Sequence, residues 1–164
     1  MNGFHMKITI LCVGKVKEKF YRDAIDEFAK RLSRYCKLEI VEVSDEKTEE
    51  QASENEIRLV KEKEGERLLK NIKEDAYVIT LCIDGKQLDS EELSEKIEKL
   101  GIQGTSHIYF VIGGSLGLSD AVIKRADFKL SFSKMTFPHR LMKVILMEQI
   151  YRAYTITEGK TYHK

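Results

Sequence analysis

Residues 107–117 read HIYFVIGGSLG, an apolar run that passes directly into a cluster of glycines. A short run rich in β-branched and aromatic residues is typical of a buried strand. Glycines directly after such a strand permit positive φ and let a ligand approach the backbone closely. The stretch therefore predicts an interior strand with a candidate ligand loop at its end, although a tight turn between a strand and a helix would also use one or two glycines.

The segments on either side of this strand alternate between strand and helix patterns. Strands are predicted over residues 7–13, 38–43, 76–83, 107–112 and 128–131, and the turn Asp84-Gly85-Lys86 is expected to close the third of them. Helices are predicted over residues 17–35, 53–72, 90–100, 119–125 and 139–154, the second of them from the capping-box pair Ser53 and Glu56. This order predicts an α/β fold, a mainly parallel sheet with helices on both faces. In such sheets ligands bind beyond the carboxyl ends of the strands.

The chain is expected to form one domain. It has 164 residues, of which 42% are hydrophobic, and it contains a single proline. That length suits one ordinary core, and the chain has no stretch with the composition of an interdomain linker. Because a strand-like run opens at Met6, we assign residues 6–164 to the domain and residues 1–5 to an N-terminal extension.

Charge, cysteine and histidine patterns exclude several classes of protein. Lys and Arg number 28 against 27 Asp and Glu, so the chain has no bulk attraction to nucleic acid or membrane. Neither the three cysteines nor the four histidines show the spacing of a disulfide framework or a metal site. No stretch approaches the roughly 18 apolar residues of a membrane span, and the N-terminus lacks a secretory signal. We expect a cytoplasmic protein with no metal and no membrane partner.

Charge is nevertheless distributed unevenly along the chain. Residues 119–164 contain nine Lys and Arg against four Asp and Glu, a net charge of +5, so residues 1–118 carry −4. This basic end also holds Tyr151, Tyr154 and Tyr162. Such a segment can contact phosphates through its cations and stack bases on its aromatic rings. The alternative is a solvated helix face whose aromatic residues belong to the core.

A second candidate ligand loop follows the last predicted strand. Residues 132–137, FSKMTF, alternate hydrophobic, hydroxyl and basic side chains without a glycine. Such a loop could wrap an aromatic ring while backbone groups read its edge, although it could equally be a plain connector. It lies at the same edge of the predicted sheet as the glycine cluster, so the two interpretations support each other.

The last predicted helix indicates how the protein assembles. Residues 141–154, LMKVILMEQIYRAY, are apolar over much more than one stripe of the helix. A helix of this kind is buried on both sides. We therefore predict a homodimer through the C-terminal helix, with a central core helix in a monomer as the alternative.

Several stretches together resemble the RlmH family of SPOUT-class methyltransferases. They are MKITILCVGKVKEKF, VKEKEGERLL, YVITLCIDGK, FVIGGSLGL, LSFSKMTFPHRLMKVILMEQIYRAY and the terminal YHK, and they cover nearly the whole chain from Met6. The resemblance implies S-adenosylmethionine-dependent methylation of N3 of a pseudouridine in large-subunit (23S) ribosomal RNA, on assembled ribosomes. It also implies a SPOUT-type α/β fold with a C-terminal trefoil knot, one of the few exceptions to the rule against knots.

The resemblance also implies site residues. S-adenosylmethionine would lie in the knot, against Leu81, Gly113, Gly114, Phe132, Ser133, Lys134, Met135, Thr136 and Phe137. A homodimer would bring the tail of one subunit toward the cofactor of the other. The substrate RNA would meet Arg140, Arg152, Tyr162, His163 and Lys164. Among these, His163 is the candidate catalytic base, and Arg152 and Lys164 would hold phosphate or stabilise negative charge on the target base.

Two other functions compete with this interpretation. The first is a non-catalytic RNA- or ribosome-binding protein with the same knotted fold, which would bind RNA without needing the cofactor. The second is a nucleotide-binding protein of flavodoxin or Rossmann type, which would place its glycine loop after the first strand. There the chain offers only GKVK, residues 14–17.

Overall fold

A computed structural model describes residues 6–164, so the predicted extension, residues 1–5, lies outside the described part of the chain. The strands β1 to β5 span Lys7–Val13, Lys37–Val43, Tyr77–Gln87, His107–Ile112 and Phe128–Ser131. The helices α1 to α5 span Lys19–Leu32, Glu54–Lys70, Ser90–Ile102, Asp120–Arg125 and His139–Thr157. Strands and helices alternate throughout, as the sequence predicts.

The five strands form one sheet in the order β2-β1-β4-β3-β5, and every neighbouring pair is parallel. This confirms the predicted parallel sheet. The run HIYFVI forms the central strand β4, where Phe110 pairs with Ile10 of β1 and Ile79 of β3. All three side chains are fully buried. The strand β2 lies at one edge, which explains why its side chains alternate between exposed and half-buried.

Helices cover both faces of the sheet, again as predicted. The helices α1, α3 and α5 pack over one face, where the core includes Phe110 and Leu146. The helices α2 and α4 cover the opposite face, where Leu68 and Val122 pack with Val111. Phe110 and Val111 point to opposite sides because successive side chains alternate across a strand.

The predicted capping box at the start of α2 is present. The Glu56 amide donates to the Ser53 hydroxyl at 3.2 Å, and the Ser53 amide donates back to the Glu56 carboxylate. Asp89 and Glu92 form the same arrangement at the start of α3. Both helices therefore begin where their own sequence satisfies the free amides of the first turn.

The predicted turn Asp84-Gly85-Lys86 is wrong. The strand β3 continues to Gln87, and its register against β5 jumps from Leu81 to Lys86, so the residues between them form a bulge. A Cβ at Gly85 would lie 2.7 Å from the Lys129 carbonyl oxygen. Pairing with a strand about 45 residues further along the chain therefore overrides the local turn signal.

The helix α5 lies between α1 and α3 and also contacts β4. Its inner side chains Leu146, Met147 and Ile150 have no exposed surface. Leu141 and Ile145 are half-buried and belong to neither core cluster. An outward-facing apolar pair of this kind suits the predicted homodimer, which stays a prediction. Among residues 6–164, every helix is too short or too polar to cross a membrane.

Candidate functional site

A cleft of about 790 Å³ opens at the carboxyl ends of β3, β4 and β5, and we name it the loop cleft. Its walls are the β3 bulge, the glycine loop 113–117, the loop 132–137 and the first turn of α5. The lining is mainly apolar and includes Leu81, Leu116, Leu118, Leu130, Phe132, Phe137 and Met142. A cleft of this size and composition suits a flat apolar ring whose edge is read by backbone groups.

The glycine loop needs its glycines for two different reasons. A Cβ at Gly113 would lie 2.8 Å from the Gly117 carbonyl carbon, so the backbone approaches itself too closely for a side chain. Gly117 has a φ of +91°, which other residues rarely adopt. The Gly117 amide also donates to the Gly114 carbonyl at 3.1 Å and closes the loop. The predicted glycine turn is therefore also one wall of the cleft.

The second loop is held at its base and exposed at its tip. The Ser131 hydroxyl oxygen lies 2.9 Å from the Ile83 carbonyl oxygen and 3.1 Å from the Ser133 carbonyl oxygen, which ties the loop to the β3 bulge. The Met135 amide donates to the Ser133 hydroxyl at 3.0 Å. Met135 itself is 74% exposed. The loop therefore presents an apolar side chain to solvent next to the cleft.

The structure brings together nearly all of the residues predicted to bind the cofactor. Those that line the loop cleft are Leu81, Gly113, Gly114, Phe132, Ser133, Met135, Thr136 and Phe137. Lys134 belongs to the same loop but is exposed and does not line the cleft. Cys82 lines the cleft as well, and burial raises the pKa of its thiol, which keeps it protonated at neutral pH.

A second cleft, of about 250 Å³, adjoins the loop cleft beyond the carboxyl ends of β1 and β2. The two clefts share Gly114, Ser115 and His139. The charged residues that line the second cleft are Lys15, Lys17, Glu42, Asp45, Glu46, Glu64 and Arg140. We name it the mixed-charge cleft, because it offers both cations and carboxylates directly beside an apolar cleft.

Arg140, which is predicted to contact RNA, lies in the mixed-charge cleft. One terminal nitrogen of its guanidinium lies 2.9 Å from a carboxylate oxygen of Glu18. Its Nε is buried and has no hydrogen-bond partner among the described residues. Beside it, burial and the charge of Arg140 lower the pKa of His139, so this ring is neutral at pH 7.

The remaining predicted substrate residues gather around Glu148 on the outer side of α5. Arg152 forms an ion pair with Glu148 at 2.6 Å, and the Tyr162 hydroxyl donates to the same carboxylate at 2.8 Å. A second guanidinium nitrogen of Arg152 lies 3.0 Å from Nδ1 of His163. Hydrogen bonding to Glu148 raises the pKa of Arg152. We name Glu148, Arg152, Tyr162 and His163 the tail cluster; Lys164, next to it, is exposed.

The tail cluster does not line the loop cleft of its own chain. Met142, at the edge of the cleft, and Arg152 lie ten residues apart on α5, which is roughly 15 Å along a helix axis. The structure therefore brings the predicted cofactor residues together and brings Arg152, Tyr162 and His163 together, but holds the two groups apart within one chain.

The basic C-terminal segment is partly neutralised inside the protein. Within residues 6–164, five of its nine cations lie within 4 Å of a carboxylate. Lys143 is one of them. It is a buried residue of α5, and its ammonium lies 3.1 Å from a carboxylate oxygen of Glu42 on β2. Two of the five carboxylates, Glu18 and Glu42, lie outside the segment and are not part of its net charge of +5. These two pairs lower the charge available to an RNA partner below that value.

Sequence reasoning missed three residues of these sites. Glu64 lies in a helix whose alternating charges are typical of a solvated face, yet it is buried at the mixed-charge cleft. Glu148 lies at the centre of the tail cluster. Its position four residues before Arg152 on a helix, the spacing of an ion pair, is the one sequence signal for it. His139 lines both clefts, and nothing in its local sequence marks it as a site residue.

Known proteins resemble this chain over nearly its whole length. A family model described as "Predicted SPOUT methyltransferase" matches residues 6–163. The chain is 66% identical over 159 residues to "Ribosomal RNA large subunit methyltransferase H" of Bifidobacterium adolescentis, which covers 97% of this chain and 100% of the relative. A protein of the same name from Clostridium novyi is 62% identical over the same lengths.

A solved structure shares the architecture at much lower identity. It is described as a probable methylase family protein from Haemophilus influenzae, and it superposes with a TM-score of 0.53 at 13% sequence identity. The match covers 99% of this chain and 71% of that chain. At this identity the likeness concerns the fold alone.

Proposed function

Because the chain belongs to the SPOUT methyltransferase family, we propose that it uses S-adenosylmethionine to methylate N3 of a pseudouridine in large-subunit (23S) ribosomal RNA. The observation that carries the proposal is the loop cleft, formed by the glycine loop and the loop 132–137 at the carboxyl edge of the sheet. The relatives' names support ribosomal RNA as the substrate. The proposed substrate is the assembled ribosome in the cytoplasm, since a single small domain offers only a limited RNA footprint.

The residues of the loop cleft fit S-adenosylmethionine. Apolar side chains from Leu81, Leu130 and Phe132 would cover the adenine ring, and backbone groups of the loop 132–137 would read its edge. Gly113 has no room for a side chain, so the backbone itself forms the wall there. Bound in this cleft, the cofactor supplies an electrophilic methyl group. The protein's own task is to align the target nitrogen with that group, which accounts for much of the rate enhancement in such reactions.

N3 of the target base must lose its proton, and His163 is the proposed acceptor. Arg152 can only donate, so Nδ1 of His163 accepts its hydrogen bond, and the neutral ring carries its own proton on Nε2, 3.9 Å from a carboxylate oxygen of Glu91. Nδ1 is therefore the nitrogen that would take up the N3 proton, once the RNA draws Arg152 away from it. Arg152 and Lys164 would hold phosphate or stabilise the negative charge that develops on the base. The Tyr162 ring packs edge-on against the Tyr151 ring, with the ring centroids 4.9 Å apart. Tyr162 would thereby hold the tail cluster on the side that faces the RNA.

A homodimer through α5 would complete the site. Leu141 and Ile145 continue along one side of α5 to Glu148 and Arg152, so an apolar patch and the tail cluster share the outer surface of that helix. Pairing two copies across this surface would bury the patch and bring the tail cluster of one copy toward the loop cleft of the other. This explains why the two groups of predicted residues lie apart within one chain.

The same proposal includes the trefoil knot. After β5, at the edge of the sheet, the chain continues as the loop 132–137 and returns as α5 against the central strand β4. The first turn of α5 and the glycine loop then share the loop cleft. This return beside the glycine loop is compatible with a C-terminal knot, which requires in addition that the chain thread through an earlier loop.

The activity is tested by transfer of labelled methyl from S-adenosylmethionine to ribosomes from cells that lack this protein. We expect label on assembled ribosomes, and none on free large-subunit RNA or on ribosomes whose target uridine was never isomerised. Binding of ribosomes without any transfer would favour a non-catalytic RNA-binding protein instead. Transfer to uridine-bearing ribosomes at the same rate would contradict the pseudouridine substrate.

The composite site is tested by heterodimers of two inactive variants. Gly113→Val disables the loop cleft, and His163→Ala disables the tail cluster. When the two chains are co-expressed with different tags and the heterodimer is purified, a site shared between subunits regains one intact copy, so we expect about half of the wild-type turnover per dimer. No recovery would show that each chain supplies its own tail. Full activity of the His163→Ala homodimer would eliminate His163 as the base.

A further inference from the structure

Glu64 is a buried carboxylate with one oxygen that has no partner in the described part of the chain. The residue is 4% exposed, although it lies on the highly charged helix α2. Its Oε2 accepts a hydrogen bond from the Glu46 amide at 3.0 Å. Its Oε1 is buried and has no hydrogen-bond partner among residues 6–164. A buried carboxylate that is only half satisfied is costly, so its presence calls for a cation or a donor that joins it.

This carboxylate lies at the junction of the two clefts. A Cβ at Gly114 would be 3.1 Å from Oε1 of Glu64 and 3.4 Å from its Oε2, so Glu64 lies directly behind the glycine loop. Gly114 lines both the loop cleft and the mixed-charge cleft. A ligand that fills the loop cleft and extends into the mixed-charge cleft must therefore pass beside Glu64.

The two adjoining clefts match the two ends of one elongated molecule. The loop cleft is mainly apolar, whereas the mixed-charge cleft offers Glu64 together with Lys15 and Arg140. S-adenosylmethionine has a flat nucleoside at one end and, at the other, an amino-acid group that carries both an ammonium and a carboxylate. The ammonium suits a desolvated carboxylate, and the carboxylate suits a guanidinium with a free N–H, such as Nε of Arg140.

We propose that Glu64 binds the ammonium group of the amino-acid end of the cofactor, while Arg140 or Lys15 binds its carboxylate. This assignment rests on the proposed function, since it takes S-adenosylmethionine as the occupant of the loop cleft. Oε1 is buried in the free protein, so the Glu64 side chain or the loop beside it must move when the ligand reaches it.

The test compares two ligands that differ only at the amino-acid end. S-adenosylhomocysteine keeps the ammonium and carboxylate, whereas 5′-methylthioadenosine has the same nucleoside and thioether sulfur without them. Both are titrated calorimetrically into the wild-type protein, into Glu64→Gln and into the control Glu66→Gln. Glu66 is an exposed residue two positions further along α2, so this control changes the same functional group outside both clefts.

We expect Glu64→Gln to weaken S-adenosylhomocysteine binding by about ten- to a hundredfold, the range for one hydrogen bond to a charged group. Binding of 5′-methylthioadenosine should stay within about twofold of wild type, which also shows that the variant is folded. Glu66→Gln should bind both ligands as wild type does. If Glu64→Gln does not fold, Glu64→Asp withdraws the carboxylate while keeping its charge, and the same selective loss is expected.

Three results would overturn the assignment. Unchanged binding of S-adenosylhomocysteine by Glu64→Gln would show that Glu64 makes no contact with the ammonium. An equal loss for both ligands would show that Glu64 only supports the loop. If the wild-type protein bound neither ligand, the proposed function itself would fail, and that outcome is distinguishable because it does not involve the variant.

Discussion

Replacing Gly113 with alanine tests whether the glycine loop is a rigid wall of the loop cleft. A Cβ at this position would lie 2.8 Å from the Gly117 carbonyl carbon, and 3.0 Å from both the Gly117 carbonyl oxygen and Cδ2 of Leu118. Two of these three atoms belong to the backbone, so no rotation of a side chain relieves the overlap. The loop must move instead, and it forms the wall against which the ligand is expected to pack.

The size of the effect follows from the packing. Inserting a group into a close-packed site typically costs about 1–3 kcal/mol. For a chain of this length each kcal/mol shifts the Tm by about 2–4 °C, so Gly113→Ala should unfold roughly 2–12 °C below wild type. Because the displaced loop lines the loop cleft, affinity for S-adenosylhomocysteine should fall at least about tenfold. Thermal unfolding followed by circular dichroism and calorimetric titration measure the two quantities.

Gly101→Ala is the matched control. Gly101 lies in α3, and the nearest atom to its added Cβ would be Cε of Met6 at 3.8 Å, an ordinary contact. Alanine is a better helix former than glycine, so this variant should be stabilised by up to about 1 kcal/mol and bind the ligand normally. If Gly113→Ala instead matched Gly101→Ala in Tm and in affinity, the close approach of Gly113 to Gly117 would not constrain the cleft, and the reasoning would be refuted.

Three further outcomes are expected. Ile145→Asp places a charge on the outer apolar patch of α5 and should convert a dimer into a monomer in analytical ultracentrifugation; a monomeric wild type would rule out the α5 dimer. Lys143→Met leaves Glu42 without its partner and should lower the free energy of unfolding in urea by about 1–3 kcal/mol. This is below the range for a fully buried pair, because the Glu42 side chain is 29% exposed. Adding Glu42→Gln should recover part of the loss, whereas strictly additive effects in the double variant would show that the two residues are not coupled. Burial, with the charges of Lys7 and Lys73, lowers the pKa of His107. As the pH falls, His107 is therefore protonated at a higher pH in the unfolded chain than in the folded protein, which favours unfolding. Stability should therefore decline below about pH 6.5, the ordinary pKa of histidine, and this decline should be shallower in His107→Asn when Tm is measured between pH 7 and 5.

The sequence by itself determined the elements whose patterns are local. The strands over residues 7–13, 107–112 and 128–131 have the bounds that their apolar runs predict, because a buried strand needs only a short run of β-branched and aromatic residues. The capping box at Ser53 is equally local, since it joins residues three positions apart. That the two candidate ligand loops lie at one edge of the sheet was also predictable, because parallel strands bring their carboxyl ends to the same edge.

Tertiary structure alone decided the features that depend on distant parts of the chain. The bulge in β3 arises from pairing with Leu130, and Glu64 is buried because α2 packs behind the glycine loop at Gly114. Neither relation leaves a periodic signal in the sequence. The distance between the tail cluster and the loop cleft is likewise set by how far α5 runs before the chain turns back. Local patterns specify which element a residue belongs to and which face of that element is apolar. Contacts between segments far apart in the chain determine what packs against that face.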